Sequence, residues 1–167
     1  VVTPDEDRLR WSALEQSALE LATEGERRGV TFLLENLPGN YCHGHNPTGM
    51  ADLVRRVGHP RLRMCFDTGH AHMTEGAVVS LEGCSAAVGY LHVHDNDGSL
   101  DSHDVPGQGT LPWEALAPHV VHLAADATAM LELFEPESSI LRHTEAGLGE
   151  RLRQWLALGQ QQGDSKP

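Results

Sequence analysis

The chain has 167 residues, 40% hydrophobic and 22% charged, which suits one globular domain with its own core. No apolar run approaches the length of a membrane span, and the opening VVTPDEDRLR has no basic segment followed by an apolar one, so neither an anchor nor a signal peptide is expected. A formal net charge of −12 argues against nucleic-acid binding, which needs a basic face to neutralise phosphates.

The first helix is expected to open at Thr3-Pro4-Asp5-Glu6, where Thr and Glu have capping-box spacing and Pro takes the first helical position. Trp11, Leu14, Ala18 and Leu21 step by three and four and predict its buried stripe, with Gly25 or Gly29 as its end. GVTFLLEN at 29–36 reads as a strand, followed by a Gly- and Pro-punctuated loop at 38–46 and a short helix at 47–57 that Gly58 and Pro60 stop. LRMCFDT at 62–68 is the second strand, 76–88 a weak helix, and GYLHVHD at 89–95 the third strand. A polar loop at 96–109 precedes a helix that Thr110 should cap and that runs to about Leu123 through Pro118. ATAMLELF at 127–134 is the fourth strand, and one last helix is expected over 139–158 with Leu148, Leu152, Trp155 and Leu156 apolar. Residues 1–158 form the domain in this reading and 159–167 a disordered tail.

Helices and strands alternating at this spacing predict right-handed βαβ units and a parallel sheet covered on both faces. A doubly wound sheet and a (β/α)₈ barrel both satisfy the pattern. No GxGxxG or GxxxxGK[ST] follows a strand, which weighs against a nucleotide-binding version. Cys42, Cys65 and Cys84 are odd in number and widely spaced, so reduced thiols in a cytoplasmic protein are expected, with Cys65 a small buried hydrophobe.

The polar residues are concentrated. Each strand carries one acid or imidazole near its C-terminal end: Glu35, Asp67, His92 and Glu132. Parallel α/β sheets place their ligand sites at those ends. Strand alternation puts Thr31, Leu33 and Glu35 on one face, as it does Arg63, Cys65 and Asp67, then Tyr90, His92 and His94, then Met130 and Glu132. If those faces line a barrel interior, three carboxylates and one imidazole converge. Their mutual repulsion in a desolvated mouth is relieved by a divalent cation, and such a set suits Mn²⁺, Mg²⁺, Co²⁺ or Zn²⁺. His70 follows Asp67 by three residues, and Asp101-Ser102-His103 lies in the loop after the third strand. Singly, each residue has an ordinary reading, as a solvated strand end, a loop cap or a satisfied core histidine. His43, His45, His59, His119, His122 and His143 read as surface or loop residues.

ENLPG at 35–39, CFDTGHAH at 65–72, LHVHDNDG at 91–98, DSHDVPGQGTLPW at 101–113 and MLELF at 130–134 together resemble the xylose isomerase-like TIM barrels. That superfamily holds sugar-phosphate isomerases and epimerases and the AP endonuclease family 2. The resemblance implies that the chain is the C-terminal half of such a barrel, covering strands five to eight with their helices. It implies that Glu35, Asp67, His92 and Glu132 are metal ligands, with Glu145 a weaker alternative to Glu132. It also implies that His70 touches substrate or a further metal, and that Asp101 and His103 form an Asp-x-His element supplying extra metal ligands in the endonuclease branch. The implied reaction is metal-dependent isomerisation or epimerisation of a sugar or sugar phosphate through an enediolate, with Glu35 and Glu132 moving the proton and His70, Asp101 and His103 binding substrate. An AP endonuclease-type phosphodiesterase and a non-catalytic barrel fragment are the alternatives. A full barrel takes about 250 residues, so either a missing N-terminal half or self-association is expected.

Overall fold

A computed structural model describes residues 3–39, 43–123, 127–134 and 136–163; Cys42 and the side chains of His122, Leu156 and residues 158–163 lie outside the described residues. Helix α1 spans Pro4–Arg28. Its capping box is closed: the Thr3 hydroxyl accepts from the Glu6 amide, and the Glu6 carboxylate accepts from the Thr3 amide at 2.8 Å. Gly29 ends it in the left-handed region at φ 69°, a conformation that costs glycine nothing. Ala18, Ala22 and Gly25 are buried, and Trp11 and Leu14 pack against them. Leu21, expected in the stripe, is exposed, because the buried line advances four residues from Ala18 to Ala22. These small residues let α1 lie close to the chain entering the sheet; a Cβ on Gly25 would stand 2.5 Å from the Val30 carbonyl oxygen.

Strand β1 (Phe32–Glu35) leads to α2 (Pro47–Val57), which Asn46 caps by accepting from the Gly49 amide at 2.6 Å. Strand β2 (Leu62–Asp67) runs directly into the short helix α3 (Thr68–His72), so Thr68 starts a helix instead of ending the strand. Then follow α4 (Ala77–Cys84), a 3₁₀ turn at Ser85–Ala87, β3 (Val88–Val93), α5 (Trp113–Leu123), β4 (Thr128–Leu131), α6 (Glu137–Glu145) and α7 (Leu148–Gly163). Other expectations fail here. Thr110 does not cap α5, which begins at Trp113; its hydroxyl meets His72 Nε2 at 2.9 Å instead. The single last helix is two, broken at Gly147 with φ 90°. Helix α7 continues to Gly163, into the segment expected to be a disordered tail, and residues 164–167 lie outside the described residues.

The four strands pair in parallel in the order β1-β2-β3-β4. A doubly wound sheet reverses its strand order at a switch point. This one advances in a single direction, which is barrel winding. One face, carrying Phe32, Leu34, Met64, Phe66, Leu91 and Val93, packs into the core with α1, α2, α4 and α5. The other carries Glu35, Cys65, Asp67, Tyr90, His92 and Met130 in neighbouring register. The expectation of cover on both faces holds for β2, buried except at the half-buried Arg63, but not for the outer strands. Leu33 and Met130 on the second face are exposed. No helix among the described residues is long and apolar enough to cross a membrane.

Candidate metal centre

Glu35, Asp67, His92 and Glu132 come together at the C-terminal ends of the four strands, each offering one donor atom within 4.8 Å of the others. Register explains this. Asp67 pairs with His92, Glu35 stands one step lower, level with Cys65, and Glu132 one step higher, two residues past the His92 partner Met130, so the four groups share one face and step across it. His92 Nδ1 lies 3.1 Å from Glu35 Oε1, 2.8 Å from Glu132 Oε2 and 3.9 Å from Asp67 Oδ2. Only the first of these contacts is a hydrogen bond. Asp67 Oδ2 and Glu132 Oε2 are buried without any hydrogen-bond partner. A buried carboxylate oxygen left unpaired is costly, and three acids around one imidazole repel one another. Both costs vanish if the lone pairs face one divalent cation, so the donor set fits such an ion. Glu145, the weaker alternative, is exposed at the end of α6 and belongs to no such group.

Cys65 sits beside Glu35 and one step below Asp67 on the same face. Burial first, and then the charges of Glu35 and Asp67, push its thiol up to about 12. It stays protonated at neutral pH and acts as small apolar filler.

His70, Asp101 and His103, expected to touch substrate, form a second group, joined by His94, with donor atoms also within 4.8 Å of one another. His70 Nε2 is 3.3 Å from Asp101 Oδ2, and His103 Nε2 is 3.3 Å from Asp101 Oδ1. The other ring nitrogens are tied to backbone: His70 Nδ1 donates to the Asn36 carbonyl at 2.8 Å and His103 Nδ1 to the Glu132 carbonyl at 3.1 Å. Each ring therefore turns an Nε2 lone pair toward Asp101, whose Oδ1 is buried and unpartnered. His103 holds a left-handed backbone at φ 51°, and its ring stacks on His94 at 3.8 Å and on Phe134 at 3.7 Å. The two groups adjoin, since His70 Nδ1 is 3.5 Å from Asp67 Oδ1 and 3.7 Å from Glu35 Oε1.

Three fully buried residues support these groups and were not assigned a role from the sequence. Asn36 accepts from the Asp67 amide at 2.9 Å and donates to the Asp67 carbonyl at 3.1 Å, tying β1 to β2 beside the first group. Asp95 accepts from the amides of Asn96, Gly107 and Leu111 and from the Trp113 indole, which folds the loop carrying Asp101 and His103 back onto β3. His94 Nε2 lies 2.9 Å from Asp67 Oδ1. Burial is the largest single influence on this imidazole and opposes its charge. The hydrogen bond and charge of Asp67, the Asp95 carbonyl and the charge of Asp101 together outweigh it and hold the pKa above the ordinary histidine value. The sequence signal for His94 was its spacing of two from His92, which puts both on one strand face.

Parallel β/α units wound in one direction, with acids and histidines gathered at the strand C-termini, define a class of barrel proteins whose sites lie at that end. The family model described as xylose isomerase-like TIM barrel matches residues 3–158, and the chain belongs to that family. It is similar to the fructoselysine 3-epimerase of Shigella flexneri, 26% identical over 125 residues covering 74% of this chain and 45% of the relative. It superposes on a D-tagatose 3-epimerase-like protein with TM-score 0.75 at 20% identity, over 91% of this chain and 56% of the other, a likeness of fold. It also superposes on the TTHB071 protein of Thermus thermophilus, soaked with ZnCl₂, with TM-score 0.63 at 26% identity, over 89% of this chain and 57% of the other. The chain thus spans about half the length of these relatives.

Proposed function

We propose that this chain is the part of a sugar or sugar-phosphate isomerase or epimerase that holds its divalent metal ion, corresponding to barrel strands five to eight. The observation that supports the reading is the pair of buried oxygens that make no hydrogen bond, Asp67 Oδ2 and Glu132 Oε2, grouped with His92 and Glu35. Glu35, Asp67, His92 and Glu132 are the ligands. Mn²⁺, Mg²⁺, Co²⁺ and Zn²⁺ all suit a set of three carboxylates and one imidazole. The naming of similar proteins as 3-epimerases supports the reaction class.

When bound, the ion supplies Lewis acidity to the oxygens of a ketose and so acidifies the adjacent carbon-bound proton. The rest falls to the protein's own groups. Glu35 and Glu132 come from opposite edges of the sheet yet reach the same His92 nitrogen, at 3.1 and 2.8 Å. Substrate lying between them meets a carboxylate on each face. One removes the proton to give an enediolate and the other returns a proton from the opposite side. His70, Asp101 and His103, with Nε2 and carboxylate atoms turned to the same region, orient substrate hydroxyls.

The test is a ketose panel with each of the four metals, on wild type, Glu35→Gln and Glu132→Gln. Each variant should lose at least about 10²-fold in kcat, the usual worth of a positioned acid or base. Near-normal turnover by either variant removes that residue from the proton transfer.

A second reading is favoured by one feature, the adjoining group of His70, Asp101 and His103, which offers lone pairs for a further ion, as a metal-dependent phosphodiesterase of the AP endonuclease type uses. The net charge of −12 opposes approach to a phosphate backbone. Cleavage of an abasic-site duplex, with no ketose turnover, would decide for it.

A further inference from the structure

We infer that His94 is a positioning residue for the first group and not a ligand in the second: it holds Asp67 by one oxygen so that the other faces the metal. The inference rests on the metal reading of Glu35, Asp67, His92 and Glu132. Asp67 is fully buried, and its two oxygens are used differently. Oδ1 accepts from the His70 amide at 2.7 Å and lies 2.9 Å from His94 Nε2. Oδ2 has no partner and points to His92 and Glu132. A carboxylate with one oxygen fixed by two donors cannot swing, so its free oxygen is aimed before any ion arrives.

Geometry also assigns the proton. A nitrogen 2.9 Å from a buried carboxylate donates to it, in the charge-assisted kind of hydrogen bond, and keeps no lone pair for an ion. The Nδ1 side of the ring faces the Asp95 carbonyl, at 3.4 Å. His70 and His103 are arranged the other way round, with Nδ1 donating to backbone and Nε2 left open. The second group therefore has three ligands to offer, His70, Asp101 and His103.

The fold makes room for this ring at one place. A Cβ on Gly69 would lie 2.0 Å from His94 Cε1 and 2.5 Å from its Nδ1, so only glycine at 69 leaves the imidazole its position. On the other side the ring stacks against His103, 5° from parallel. Gly69, two residues beyond Asp67 in the α3 turn, is thus part of the same device.

The experiment is Mn²⁺ binding to the full chain, followed by the electron paramagnetic resonance of the free ion, for wild type, Asp67→Asn, Gly69→Ala, His94→Phe and His94→Gln. His94→Phe keeps a stacking ring and removes the donor. The Kd should weaken about 10- to 100-fold, the usual loss for a support one step behind the metal. His94→Gln, which restores an N–H, should recover most of the affinity, a rescue that a purely packing role would not give. Gly69→Ala should match His94→Phe, and Asp67→Asn should lose more than either. If Asp67→Asn abolishes binding while His94→Phe and His94→Gln both stay within twofold of wild type, the positioning role is wrong and the metal reading stands. If Asp67→Asn binds as wild type does, the metal reading itself fails. If His94→Phe removes a second equivalent of Mn²⁺ and leaves the first unchanged, His94 is a ligand and the inference is overturned.

Discussion

Asp95 shows how a single side chain can hold a site it never touches. Its carboxylate accepts from three amides and the Trp113 indole at 2.8 to 3.0 Å, all but the Gly107 bond fully inside the protein. Asp95→Asn keeps the shape but replaces one acceptor oxygen with a donor, which must then face an N–H group. We expect a loss of about 3 kcal/mol, since hydrogen bonds to a charged group contribute about 1.5–3 kcal/mol each and an unpaired buried group adds its own cost. Urea unfolding measures the loss, and a changed Trp113 emission should accompany it, because Trp113 stacks on Trp155 at 5.4 Å. An unshifted midpoint would show that the loop holds without this carboxylate. Residues of this kind were not legible in the sequence. The grouping of Glu35, Asp67, His92 and Glu132 was, because each lies within one residue of a strand's C-terminal end and alternation gives its face. Asn36 acts on the backbone of a residue 31 positions away, and Asp95 on amides up to 16 away. A sequence read through local periodicity does not contain those partners.

At the scale of elements, the legible parts were those whose signals are local. The capping box of α1, the Asn46 cap and Gly58 stop of α2, and the four strands all follow from neighbours within a turn or two. Thr110 failed as a cap because its surroundings are already claimed: its amide donates to the Asn96 carbonyl at 2.8 Å. The loop from 96 to 110 is folded by Asp95 and Asn96, and α5 begins at Trp113, whose indole Asp95 also holds. The break between α6 and α7 is the other miss. No proline separates the two helices, and Gly147, in the left-handed region at φ 90°, marks the break. Gly147→Ala should therefore destabilise the chain instead of fusing the two helices into a longer one. The left-handed conformation costs a non-glycine residue about 1–2 kcal/mol. That is a drop of several degrees in Tm, with helical circular dichroism unchanged. A rise in both Tm and helicity would mean that the helices can join.

At the scale of the molecule, the dominant fact is a sheet that ends twice. β1 and β4 are its outer strands, and β4 is exposed along its whole length. Leu33 and Met130 on the uncovered face, and Phe134 just beyond β4, are exposed too. Open strand edges next to apolar side chains are templates for pairing with another chain. Against this stands the net charge of −12, which makes two copies repel over roughly 8–10 Å at moderate ionic strength. The balance gives a signed expectation. In light scattering after size exclusion, the chain should run above its 18.2 kDa monomer mass, and its association should strengthen as salt is raised and repulsion is screened. A lysine on the exposed edge, as in Thr128→Lys, adds charge where a strand would dock and should shift the population back toward monomer. Association driven by ion pairs would show the opposite salt dependence. A monomer at every salt concentration would mean that this chain tolerates the exposed edges and the uncovered face.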